Sequence, residues 1–136
     1  MAFYNRFEDM PIWQLAKAVA VDIYRLTSRG AFSKDFAIRD QVRRASLSIS
    51  SNIAEGFECG TRKEFIRYLH IARASAGEVR SQLEIAKELD YITETQRKEI
   101  ASQLESVARQ ITAFIQTLKK NELPSSQVFK SVIGHR

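Results

Sequence analysis

Apolar residues recur along this chain at alternating three- and four-residue steps, the spacing that gathers them on one side of an α-helix. Four such stretches can be followed. In the first, Ile12, Leu15/Ala16, Val19, Ile23 and Leu26 predict a helix over about 11–29. Pro11 suits its first turn, Glu8 and Asp9 complement the positive end of its dipole, and Gly30 can take the positive φ that closes a helix. In the second, Ile38, Val42, Ala45, Ile49, Asn52 and Ile53 predict a helix from Ser33–Phe36 to Glu55–Gly56, with Ser33 or Asp35 as its cap. Ser46, Ser48, Ser50 and Ser51 are poor helix formers beside this stripe. Their small size lets another helix approach closely.

The third helix opens on Thr61-Arg-Lys-Glu64, a capping box: the Thr61 hydroxyl accepts from the Glu64 N–H, and the Glu64 carboxylate accepts from the Thr61 N–H. It carries two adjacent stripes. One is Phe65, Leu69, Ala72, Ala76, Val79, Leu83 and Ala86; the other is Glu64, Tyr68, Ile71, Ser75, Glu78, Gln82, Ile85 and Leu89. A helix with two apolar or small stripes is expected to touch partners over a wide arc. A second capping box, Thr93-x-x-Gln96, opens a fourth helix running to about Lys120, with Ile100, Leu104, Val107, Ile111, Phe114 and Leu118 as its stripe.

The connections span roughly three to six residues, which makes consecutive helices pack antiparallel. The expected fold is therefore all-α, an antiparallel up-down-up-down four-helix bundle over residues 1–123. A flexible C-terminal tail is expected over 124–136, starting at Pro124.

Several polar residues interrupt the stripes. Asn52, Glu55 and Glu64 stand where a bundle buries its face, and buried polar groups need partners. Periodicity puts Asn52 and Glu55 at the end of the second helix and Glu64 at the start of the third, so the three are expected to meet at one hairpin turn. With Glu78 and Gln82 further along the same face they read as a structural polar network, for which Arg43 or Arg44 would be natural charge partners.

Length and composition fit this picture. The 136 residues make one domain with one core, and the two Pro lie near the chain ends, leaving a long stretch open to helices. The single Cys59 cannot form an internal disulfide, and the first residues lack the basic-then-apolar pattern of a signal peptide. No uncharged apolar run approaches the ~20 residues that span a bilayer. A cytoplasmic protein without a membrane partner is expected.

Candidate chemistry is sparse. The two histidines, His70 and His135, do not follow a Glu by three, and no Cys cluster occurs, so no metal or cofactor is expected. The serines of the second helix lack an evident base, Cys59 lacks a second thiol or a nearby His, and Gly56–Gly60 lacks the Gly-Lys-Ser/Thr of a phosphate-binding loop. Glu55, Glu64 and Glu78 could pair for general acid–base work, but a structural network is the simpler reading, and no enzyme or small-molecule substrate is expected.

The net charge of +5 favours anionic partners. Arg39, Arg43, Arg44, Arg62, Lys63, Arg67, Arg73 and Arg80 are the candidate phosphate contacts. The bland alternative is a solvated surface, since Asp40, Glu84 and Glu88 are interspersed. Trp13, Tyr24, Phe36, Leu47, Phe57 and Tyr68 fall off the main stripes or at their margins. Apolar surface of that kind points to a homo-oligomer.

Ser51-Asn-Ile-Ala-Glu-Gly56, followed by Thr61-Arg-Lys-Glu-Phe-Ile-Arg-Tyr-Leu-His-Ile-Ala72, resembles the 23S rRNA intervening-sequence protein family, also called four helix bundle proteins. Phe7-Glu-Asp-Met-Pro-Ile-Trp13, Gln41-Val-Arg-Arg-Ala-Ser-Leu-Ser-Ile-Ser50, Glu78, Gln82 and Ala86-Lys-Glu-Leu-Asp-Tyr-Ile92 extend the likeness over about 7–118. Ser50 and Ala74 depart from it, standing where Pro and Gly are more usual. The resemblance implies a four-helix bundle assembled as a homopentamer. It also implies an architecture similar to the accessory variability protein of diversity-generating retroelements, a basic pentamer that binds nucleic acid and a reverse transcriptase. Some members of the family are encoded within insertions in 23S rRNA genes, and no catalytic residues are known for it. The expected function is that of a non-enzymatic oligomeric bundle binding RNA or a ribonucleoprotein through basic helix faces. The alternative is a protein–protein interaction scaffold without nucleic-acid binding.

Overall fold

In the computed structural model, which describes residues 4–120, the stripes become four helices: α1 (Pro11–Leu26), α2 (Phe36–Glu58), α3 (Arg62–Glu88) and α4 (Glu94–Lys120). Short 3₁₀ turns at Phe7–Asp9 and Gly30–Lys34 precede α1 and α2, and no strand occurs among the described residues. The segment expected as a tail, 124–136, lies outside them. Each helix packs on its chain neighbour and α1 also packs on α4, which closes a four-cornered bundle. Side-chain pairs set the direction: Arg73 meets Thr112, Arg80 meets Glu105 and Arg97 meets Glu84, so α3 and α4 run antiparallel. Ser48 opposite Ser75, with Gly56 opposite Phe65, does the same for α2 and α3.

The expected apolar stripes supply the core. Val19, Ile23, Val42, Ile49, Ile53, Leu69, Val79, Leu83, Leu104, Val107 and Ile111 have no exposure at all. Burying each branched side chain of this size stabilises the fold by about 1.5–3 kcal/mol relative to leaving it in water. Small residues line the α2–α3 seam, where Ser48 meets Ser75 and Gly56 lies against Phe65; Ser46 is fully buried and donates to the Arg43 carbonyl. No described helix is long and apolar enough to cross a membrane.

Two helix ends differ from the sequence expectation. α1 stops at Leu26, with Thr27 as its C-cap and the Thr27 hydroxyl donating to the Ile23 carbonyl at 2.7 Å; Gly30, at φ +55°, then starts the second 3₁₀ turn. α2 continues through Gly56 to Glu58. Gly56 is therefore not a turn residue. It is buried against α3, and the left-handed turn is made by Gly60 at φ +86°. That extension carries Phe57 inward: expected at the margin of the stripe, it is fully buried, edge-on to Phe7 at 6.5 Å and to Phe65 at 6.4 Å.

The two capping boxes behave differently. Thr93 and Gln96 form both reciprocal bonds, at 2.9 and 3.1 Å. Thr61 accepts from the Glu64 N–H at 3.3 Å, but the Glu64 carboxylate takes the Arg67 guanidinium instead of reaching back to the Thr61 N–H.

Candidate functional site

The eight candidate phosphate contacts do not form one face. Arg39 donates to the Ser33 carbonyl at 2.9 Å, pairs with Asp40 at 2.9 Å, and lies over the Phe36 ring. Arg43 reaches the end of α1, donating to the Thr27 and Ser28 hydroxyls at 2.8 and 3.0 Å with its guanidinium over the Tyr24 ring. Arg73 and Arg80 face α4: Arg73 donates to the Thr112 hydroxyl at 3.0 Å, and Arg80 stands 3.8 Å from Glu105. Arg67 stays along α3, bonded to Glu64 at 3.0 Å and over the Tyr68 ring. The bond from Arg67 is the chief reason the Glu64 carboxyl titrates below its ordinary range. Arg62 is half-buried at the start of α3. Arg44 and Lys63 are exposed, and their side chains make no hydrogen bond or ion pair among the described residues.

Three further arginines matter that sequence reasoning passed over. Arg25, in the last turn of α1, and Arg29, in extended backbone just past its end, line a shallow depression of about 290 Å³ with Tyr24 and Ser28. Their side chains likewise make no bond or ion pair among the described residues. Their four-residue spacing was the available signal. Arg97 is the opposite case, largely shielded and clamped between Glu84 at 2.8 Å and Glu94 at 2.6 Å, where it joins the end of α3 to the start of α4.

The five polar residues are not joined in a single network. Asn52 donates to the Ser48 carbonyl at 2.7 Å and to its hydroxyl at 2.9 Å, and the Ser48 hydroxyl meets that of Ser75 at 2.9 Å. This short chain bridges the α2–α3 seam. Glu55 is exposed, and Glu64 is turned along its own helix by Arg67. Gln82 donates to Glu78 at 3.3 Å, one turn back, while its own carbonyl oxygen is buried without a partner. Among the described residues no group of three or more acidic, His or Cys side chains is placed to hold a metal. His70, half-buried on α3, accepts at Nδ1 from Arg73 at 2.9 Å; burial first, then the charges of Arg73 and Lys119, push its pKa below the usual imidazole value.

Apolar residues stand exposed on two separate parts of the bundle. Val21, Tyr24 and Leu47, each about two-fifths exposed, border a groove of about 360 Å³ between α1 and α2. On α3, Ile71, Ile85 and Leu89 leave its second stripe uncovered, with Ile85 at 52%. Among the described residues Phe36 is the most exposed large apolar one, at 63%. Of the other residues expected to carry apolar excess, Trp13 and Tyr68 are half-buried.

The family model for 23S rRNA-intervening sequence protein matches residues 8–113, which take in α1, α2, α3 and most of α4. The crystal structure of a protein of unknown function from the S23 ribosomal protein family of Bacteroides thetaiotaomicron VPI-5482 is similar at a TM-score of 0.71 and 28% identity. The likeness covers 78% of this chain and 99% of that one. No curated protein matches the chain.

Proposed function

Since the chain belongs to the 23S rRNA-intervening sequence protein family, we propose that it acts without chemistry of its own, as a subunit that joins copies of itself into a closed ring, a homopentamer. The observation that carries this reading is the pair of unlike apolar surfaces, Val21/Tyr24/Leu47 on α1 and α2 and Ile71/Ile85/Leu89 on α3. A self-complementary patch would favour a two-fold dimer. Two different patches dock head to tail, and such contacts close into a ring when the rotation between copies allows it. Covering each patch removes apolar area from water at about 25 cal/mol per Å². Leu47→Glu and Ile85→Glu, one on each side of the contact, test it: each should reduce the assembly to monomers while leaving helix content intact. Assembly unaffected by both would overturn the reading.

A second reading, binding of RNA or a ribonucleoprotein, is favoured by Arg25, Arg29, Arg44 and Lys63, whose charges the fold leaves uncommitted among the described residues. The other arginines named above mostly serve the bundle. Titration with RNA at rising salt separates this reading from a scaffold without nucleic acid, because a phosphate binder loses affinity steeply as salt rises. Absence of binding at low salt leaves the scaffold.

A further inference from the structure

The apolar groove between α1 and α2 carries positive charge at both ends. Lys17 and Arg25 line it with Val21 and Leu47, and among the described residues no carboxylate does. Neither cation makes an ion pair there; Lys17 lies 5.3 Å over the Trp13 ring. The exposed stripe of α3 has the opposite sign. Glu78 stands exposed between Ile71 and Ile85, taking only a 3.3 Å bond from Gln82. Glu88, three residues beyond Ile85, is loosely paired with Lys87 at 3.9 Å. On the head-to-tail contact inferred above, we propose that these charges choose its partner surface and fix its register. Lys17 meets Glu78 of the neighbouring copy, Arg25 meets Glu88 of that copy, and Ile85 of that copy lies against Val21 and Leu47.

Spacing supports the pairing. Lys17 and Arg25 are about 12 Å apart along α1, and Glu78 and Glu88 about 15 Å apart along α3, at the helical rise per residue. The long lysine and arginine side chains close the difference. Direction agrees too. α2 runs antiparallel to both α1 and α3, so α1 and α3 point the same way. A ring axis along the bundle keeps them parallel between copies, which sets Lys17 beside Glu78 and Arg25 beside Glu88. Sign also rejects the wrong contacts. Groove on groove would bring Lys17 and Arg25 against their own copies, and stripe on stripe would do the same with Glu78 and Glu88. Like charges so placed oppose association. Each surface therefore refuses itself and accepts the other, the condition for a head-to-tail contact in place of a two-fold dimer.

Molar mass against concentration on the full chain provides the test. Lys17 and Glu78 carry it, because Arg25 also lines the depression beside Arg29. Both positions are exposed, so reversing either charge spares the fold. Lys17→Glu and Glu78→Lys should each move assembly to a concentration roughly tenfold higher or more. A chain with both substitutions should return towards the wild-type curve. Mixing the two single variants should also raise the mass, because each supplies the surface that the other lacks. Assembly unmoved by either reversal overturns the pairing, as does a double variant no better than the singles. If Leu47→Glu still disperses that assembly, the apolar contact stands without the charge pairs. A wild type that is monomeric throughout overturns both.

Discussion

A Cβ built on Gly56 would stand 2.7 Å from Cδ1 of Phe65 and 2.9 Å from Cβ of Tyr68. The absence of a side chain at this point lets α2 and α3 approach as closely as they do, beside the ring cluster of Phe57 and Phe65. Phe65 is fully buried and the Tyr68 Cβ is fixed to backbone, so neither moves cheaply. Two effects of Gly56→Ala compete. Alanine is the better helix former by about 1 kcal/mol, whereas forcing a methyl into a packed seam costs about 1–3 kcal/mol. Contact well inside van der Waals distance makes the second effect win. Denaturant unfolding should show a net loss of up to about 2 kcal/mol; a gain would mean that the seam opens without cost.

The Asn52–Ser48–Ser75 chain should contribute to the α2–α3 seam. A double-mutant cycle of Ser48→Ala and Ser75→Ala should give a coupling of about 0.5–1.5 kcal/mol, the range for a partly buried neutral hydrogen bond. Strict additivity would show that the two hydroxyls do not bond in solution.

Arg43 should behave as a structural residue. Arg43→Gln removes the contacts with Thr27, Ser28 and the Tyr24 ring and should destabilise by about 1 kcal/mol in thermal or denaturant unfolding. Arg25→Glu with Arg29→Glu should leave stability nearly unchanged and weaken RNA binding, with a shallower dependence on salt. The opposite allocation of effects would reverse the roles assigned to these residues.

His70 sets a pH dependence. Its pKa in the fold lies below 6.5, so the folded state takes up fewer protons than the unfolded state in this range. The stability it contributes is present above 6.5 and is lost as the pH falls through that value towards the lower folded pKa. Protonation also places a proton on Nδ1, which then no longer accepts from Arg73. Unfolding curves between neutral and mildly acidic pH should show this decline, and His70→Gln should flatten it. An unchanged slope in the variant would assign the decline to other groups.

The helices were legible because each buried stripe is a local, repeated pattern; the Thr93–Gln96 cap was legible for the same reason. The Thr61–Glu64 box was only half so, since Arg67, one turn ahead, competes for the same carboxylate. Gly56 was misread because glycine marks a turn and a close helix approach with the same letter. Phe57 followed it, since a helix three residues longer turns that ring inward. The basic residues were the least legible. Whether Arg73 or Arg43 is free depends on Thr112, Thr27 and Ser28, which are distant in sequence and near only once the helices have packed. The apolar excess at Tyr24, Phe36 and Leu47 was legible because it needs no partner within the chain.

The claim that the exposed apolar surfaces hold copies of the chain together is tested most directly by the molar mass in solution at micromolar concentration, from light scattering or sedimentation equilibrium. The account predicts a species of five times the 15.6 kDa of one chain. A mass of 15.6 kDa at that concentration would contradict it.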